Sequence, residues 1–73
     1  MIDMTYDPEA DAVYFYVGRG KIDHQEEAGP FTLDVDAEGR VIGIEVLSAS
    51  TTLAPGDWQK ARLPGKRRID AAE

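Results

Sequence analysis

Two tyrosines, a glycine and a glutamate are the residues of this chain whose types and spacing could do chemistry together. Tyr14 and Tyr16 stand two apart, as do Gly43 and Glu45, each pair inside an alternating run, so each pair shares one face of a strand. A carboxylate among aromatic rings loses hydration, which raises its pKa and suits it to acid or base work. Gly43 leaves a gap that a ring or a facing backbone could enter. Tyr14, Tyr16, Gly43 and Glu45 are therefore the candidate ligand-binding residues. The structural alternative is a rim glutamate paired with Arg40 or with a cation of the C-terminal tail.

Acidic spacing suggests calcium but does not deliver a site. Asp34-x-Asp36-x-Glu38-Gly39-x₅-Glu45 nearly matches the calcium loop that lies between two helices, including its central glycine and terminal glutamate. Gly29-Pro30 forbids the incoming helix, and both flanks alternate with period two. A hairpin spreads Asp34 and Glu45 along two strands, where they cannot wrap one ion. Asp7-x-Glu9-x-Asp11 reads as a turn with a solvated acidic tip. No metal site and no cofactor is expected.

The catalytic inventory is thin. His24 is the sole histidine and sits in a polar run with no serine or cysteine nucleophile beside it. Ser48, Ser50, Thr51 and Thr52 have no identifiable base and suit backbone bonding at a strand end. Gly18-Arg19-Gly20-Lys21 lacks the spacing and the following helix of a phosphate loop. No catalytic residue is assigned, and the balance leans away from an enzyme.

The 73 residues make one small domain without cysteine, hence without disulfides. A core of this size supplies only about 3–5 kcal/mol, so self-association, as a homodimer or larger homo-oligomer, is expected. The sequence shows no basic-then-apolar leader and no long apolar run, so a cytoplasmic chain away from membranes is expected. Net charge is -6 and uneven: residues 1–54 carry 11 acidic and 3 basic side chains, residues 55–73 carry 3 and 5. The acidic body repels nucleic acid. A basic partner protein fits it better, and Trp58, Lys66, Arg67 and Arg68 are the candidate partner contacts.

These residues are positioned by a mainly β fold: a small antiparallel sheet of about five hairpin-connected strands with a short C-terminal helical segment. Residues 1–54 form the β domain; residues 55–73 form a short helix and a basic, partly flexible tail. Ile2, Met4 and Tyr6 alternate in a first strand, and Asp7-Pro8 opens a turn that Glu9 and Asp11 extend into one helical turn. Val13, Phe15 and Val17 face one way from the second strand. A polar third strand over residues 22–27 belongs at an edge or is poorly formed. The last two strands are joined around Gly39; a four-residue loop (36–39) with Gly39 at positive φ pairs Leu33 with Ile42 and Phe31 with Ile44. Residues 48–54 lose the alternation. Asp57 N-caps a helix through residue 62 that carries Trp58 inward. The face holding Tyr14, Tyr16, Val41, Gly43 and Leu47 is too apolar for water, so the segment 53–58 or a second copy is expected to cover it.

Tyr6-Asp7-Pro8-Glu9-Ala10-Asp11-Ala12-Val13-Tyr14-Phe15 resembles the opening of the small bacterial proteins of domain-of-unknown-function family 2283. Gly39-Arg40-Val41-Ile42-Gly43-Ile44-Glu45-Val46-Leu47, followed by Ala49-Ser50, resembles the same family, in the right order. Ser48 departs from the Asp or Asn expected there. The resemblance covers residues 2–53 and implies a compact β-rich bacterial domain without assigned activity. Some relatives have a gene setting similar to that of the antitoxin half of small toxin pairs, which implies protein binding. The expected function is thus a non-enzymatic, oligomeric protein-interaction module, antitoxin-like or regulatory, with a small-molecule binder or minimal enzyme at a subunit interface as the alternative.

Overall fold

The computed structural model describes residues 3–64. Its strands are β1 (Asp3–Asp7), β2 (Ala12–Tyr16), β3 (His24–Ala28), β4 (Phe31–Val35) and β5 (Val41–Leu47). They form one antiparallel sheet in the order β1-β2-β5-β4-β3. The mainly β reading of the sequence is correct, and its polar third strand is an edge, exposed at every position. That strand starts and ends later than the 22–27 expected, at His24 and Ala28.

Alternation places Met4, Tyr6, Val13, Phe15, Phe31, Ile44 and Val46 on one face. Val13 and Val46 stand opposite each other and are fully buried. Each buried valine contributes about 1.5–3 kcal/mol by leaving water. Two helical pieces close this side. The four-residue α1 (Ala49–Thr52) buries Ala49, and a 3-10 turn (Asp57–Lys60) buries Trp58. Trp58 meets Tyr6 edge to face at 5.0 Å, and its indole N–H donates to the Ala54 carbonyl at 2.6 Å. The helix expected through residue 62 is shorter and tighter, begins after Gly56 rather than at an Asp57 cap, and gives way to extended chain at Ala61.

Two turns and one long-range hydrogen bond explain the rest. Asp7 accepts N–H groups from Glu9 and Ala10 in the expected turn, but no helical turn follows, because Asp11 adopts φ 54 and sends the chain into β2. The Asp11 carbonyl then accepts the Ala49 N–H at 2.8 Å, which seats α1 where the sequence showed no element. Between β4 and β5, Gly39 takes φ 84, the positive angle expected of it. The register differs from the expected one. A three-residue loop pairs Val35 with Val41, and a bulge then shifts the pairing so that Leu33 meets Ile44 and Phe31 meets Val46. Parity is why alternation missed this: the real and expected partners differ by two residues and share a face.

The expected cover is also corrected. Residues 53–58 pack on the Val13 side, with Leu53 and Trp58 in the core cluster. They do not reach the tyrosines. Residues 61–64 instead run along the outer edge of β1, where Arg62 bridges Thr5 in parallel and its carbonyl accepts the Tyr6 N–H at 3.0 Å.

Candidate functional site

The reverse face of the sheet is where the sequence candidates converge. Tyr14 and Tyr16 rise from β2, and Glu45 lies opposite Tyr14 on β5. The two rings meet edge to face at 4.7 Å. Gly43 lies opposite Tyr16 on β2 and Asp34 on β4. The absence of a side chain at Gly43 lets the Tyr14 ring cross β5, and its hydroxyl donates to Asp34 Oδ2 at 2.5 Å. From the far edge Gln25 donates to Asp34 Oδ1 at 2.7 Å. One carboxylate therefore gathers side chains from β2, across the intervening β5, and from the neighbouring β3.

Asp34 is only 4% exposed. Both its partners are neutral donors, and among the described residues neither Asp34 nor Glu45 has an ion pair. Charge buried without a counter-charge is costly. Tyr14 feels this environment: burial first, then the hydrogen bond and charge of Asp34, push its pKa above the ordinary tyrosine range. The phenol consequently stays protonated and acts as a donor, not as a base.

These side chains bound an open hollow of about 480 Å³. Tyr14, Tyr16, Ile22 and Leu47 supply its apolar surface; Asp7, Asp34 and Glu45 supply negative charge; Pro64 stands at its wall. Leu47 remains 54% exposed. Arg62, which pairs with Asp3, lies with its guanidinium carbon 5.9 Å from the Tyr16 ring centroid.

The remaining candidates go elsewhere. Trp58 belongs to the core on the opposite face. Lys66, Arg67 and Arg68 lie outside the described residues. His24 is held at the sheet edge between Asp23 and Glu26, at 2.8 and 3.0 Å. Ser50 does find a carboxylate, since Asp11 accepts from its hydroxyl at 2.7 Å and from its N–H. Those bonds hold Asp11 below its usual pKa, which makes it a poor base. Asp36 accepts the Glu38 and Arg40 N–H groups and the Arg40 guanidinium, closing the hairpin turn. Among the described residues no three His, Asp or Glu side chains gather as a metal set, and no helix is long and apolar enough to cross a membrane.

Asp34 and Gln25 are the site residues that sequence reasoning missed. A carboxylate inside the apolar strand β4 was the available signal, but its first reading was as a calcium-loop position.

In comparison with known families, the family described as a protein of unknown function, DUF2283, matches residues 3–50. The chain belongs to this family. No curated protein and no solved structure matches it. The DUF2283 region contains the whole sheet, including Tyr14, Asp34, Gly43 and Glu45, whereas Trp58 and Pro64 lie beyond it.

Proposed function

We propose that this DUF2283 chain is a non-enzymatic protein-interaction module that takes a cationic segment of a partner protein on the reverse face of its sheet. The observation that carries the reading is Asp34, a buried carboxylate without a cation among the described residues, opening onto a hollow walled by tyrosines. Guanidinium and ammonium groups satisfy carboxylates and stack on aromatic faces. The acidic balance of residues 1–54 adds long-range attraction for such a partner. An antitoxin-like or regulatory role in a bacterial cytoplasm is consistent with this chemistry. Self-association belongs to the same reading, motivated by the small cysteine-free core and by exposed Val17, Val41 and Leu47. Sedimentation equilibrium tests that part: a single 8.0 kDa species removes it.

Titration with an arginine-rich peptide and with an acidic peptide of equal length tests the partner chemistry. Both the natural chain and a Lys66→Ser/Arg67→Ser/Arg68→Ser form are used, the latter without competing cations of its own. Only the basic peptide is expected to bind, less tightly at high salt, and less tightly again after Glu45→Gln or Tyr16→Ala. No binding by either form removes the reading.

A second reading has its own support. A hollow of about 480 Å³ with converging polar groups also suits a small amine ligand. Amine binding that is unchanged by Glu45→Gln would eliminate it.

A further inference from the structure

We propose that the outer edge of β3 is a second protein-binding surface, one that accepts an extended basic segment of a partner as a sixth strand of the sheet. This surface is separate from the hollow and does not depend on what the hollow binds.

Backbone chemistry is the first argument. β3 ends the sheet, and among the described residues nothing pairs with its outer side. Alternate N–H and C=O groups of such a strand have only water for partners, which makes it a template for strand addition. The other end of the sheet differs. There the Arg62 carbonyl accepts the Tyr6 N–H and Arg62 bridges Thr5, so the β1 edge is already engaged.

Charge selects the occupant. From residue 22 to residue 39 the carboxylates are Asp23, Glu26, Glu27, Asp34, Asp36 and Glu38, with no lysine or arginine among them. Glu27 shares the reverse face with Gln25, while Glu26 lies on the other face, where its carboxylate meets the His24 ring at 3.0 Å. A strand added alongside therefore meets carboxylates above and below the sheet. Cations at two consecutive positions of that strand would answer both. A second copy of β3 would bring like charges together, and like charges facing each other across a strand pair are destabilising. The acids thus turn away the chain's own copies at this edge and admit a basic partner.

The chain makes the same kind of contact on itself. Arg62, on the extended segment beside β1, joins that edge through its backbone and pairs its guanidinium with Asp3 of the same strand. Edge bonding is there coupled to a cation–carboxylate pair. β3 offers both features, exposed at every position and with no described segment beside it.

Hydrogen exchange on the full-length protein, at millimolar peptide, reads this edge directly. The probe is a short peptide of valine and threonine around a central Lys-Arg pair. It should slow the exchange of alternate β3 amides and leave β1 unchanged. N-methylating one alternate set of peptide residues should abolish that protection, and methylating the other set should not, because only one set of N–H groups faces the edge. Glu26→Lys/Glu27→Lys, at two exposed positions, should weaken the probe at least about 4-fold and admit a peptide with a central Glu-Glu pair instead. Glu45→Gln should leave the β3 protection as it was. Absence of protection on β3 overturns the proposal, as does equal behaviour of the two methylated peptides or an unchanged affinity in the lysine variant. Protection that disappears with Glu45→Gln places the peptide in the hollow and overturns the edge surface alone. Protection that rises with protein concentration without peptide places a second copy on β3, and also overturns it.

Discussion

Tyr14 lies across Gly43 so closely that a Cβ built at position 43 would stand 1.8 Å from the phenolic oxygen and 2.5 Å from Cζ. The glycine is thus a passage for the ring between β2 and Asp34. Gly43→Ala must push Tyr14 aside and break its bond to Asp34, at a cost of about 1–3 kcal/mol. Tyr14→Phe should cost a similar amount, because Asp34 stays buried with one donor fewer. The double variant should cost less than the sum by at least about 0.5 kcal/mol, since both changes break the same bond. Strict additivity in urea unfolding would show that the two residues are not coupled.

Trp58 closes the opposite face. Trp58→Ala should remove about 3–5 kcal/mol, while small domains hold roughly 0.05–0.15 kcal/mol per residue. Loss of the cooperative thermal transition by circular dichroism is expected, with Trp58→Phe retaining it at a lower midpoint. A Trp58→Ala protein that melts like the parent would place the indole outside the core.

Acid should unfold this protein through two turn carboxylates. Asp11 is held below its ordinary pKa chiefly by the Ser50 hydroxyl, against the opposing effect of burial, with help from Tyr6 and the Ser50 N–H. Asp36 is lowered chiefly by the Arg40 N–H, again against burial, with help from the Arg40 guanidinium and the Glu38 N–H. A depressed folded pKa stabilises at pH values above the unfolded value of 3.8 and ceases to do so as pH falls through the folded one. The urea midpoint should therefore drop on the acid side, and Asp11→Asn or Asp36→Asn should flatten that drop. An acid limb identical in all three proteins would refute the assignment.

His24 should act in the opposite sense and in a different window. Its hydrogen bonds to Asp23 and then Glu26 raise its pKa above 6.5 against a small effect of burial. A raised folded pKa stabilises fully below the unfolded value and is lost as pH climbs through the folded one. Because the ring is exposed, solvent screens the effect on stability, and the clear readout is the imidazole proton shift. Its midpoint should exceed 6.5 and fall on Asp23→Asn; a midpoint at or below 6.5 counts against the pairing.

Period-two alternation, the Asp7-Pro8 turn and Gly39 determine by themselves that this chain is a five-stranded antiparallel sheet with a polar edge, because each signal acts between near neighbours in sequence. The same alternation gathers Tyr14 with Tyr16 and Gly43 with Glu45 on single faces. It is blind to pairing shifts of two residues, so the bulge before Gly43 escaped it. Tertiary structure alone decided that β5 lies between β2 and β4, which is what lets Tyr14 reach Asp34 over Gly43. It also decided which side residues 49–58 would cover. Both choices turn on contacts between residues far apart in the chain, Asp11 with Ser50 and Tyr6 with Trp58, and no local pattern encodes them.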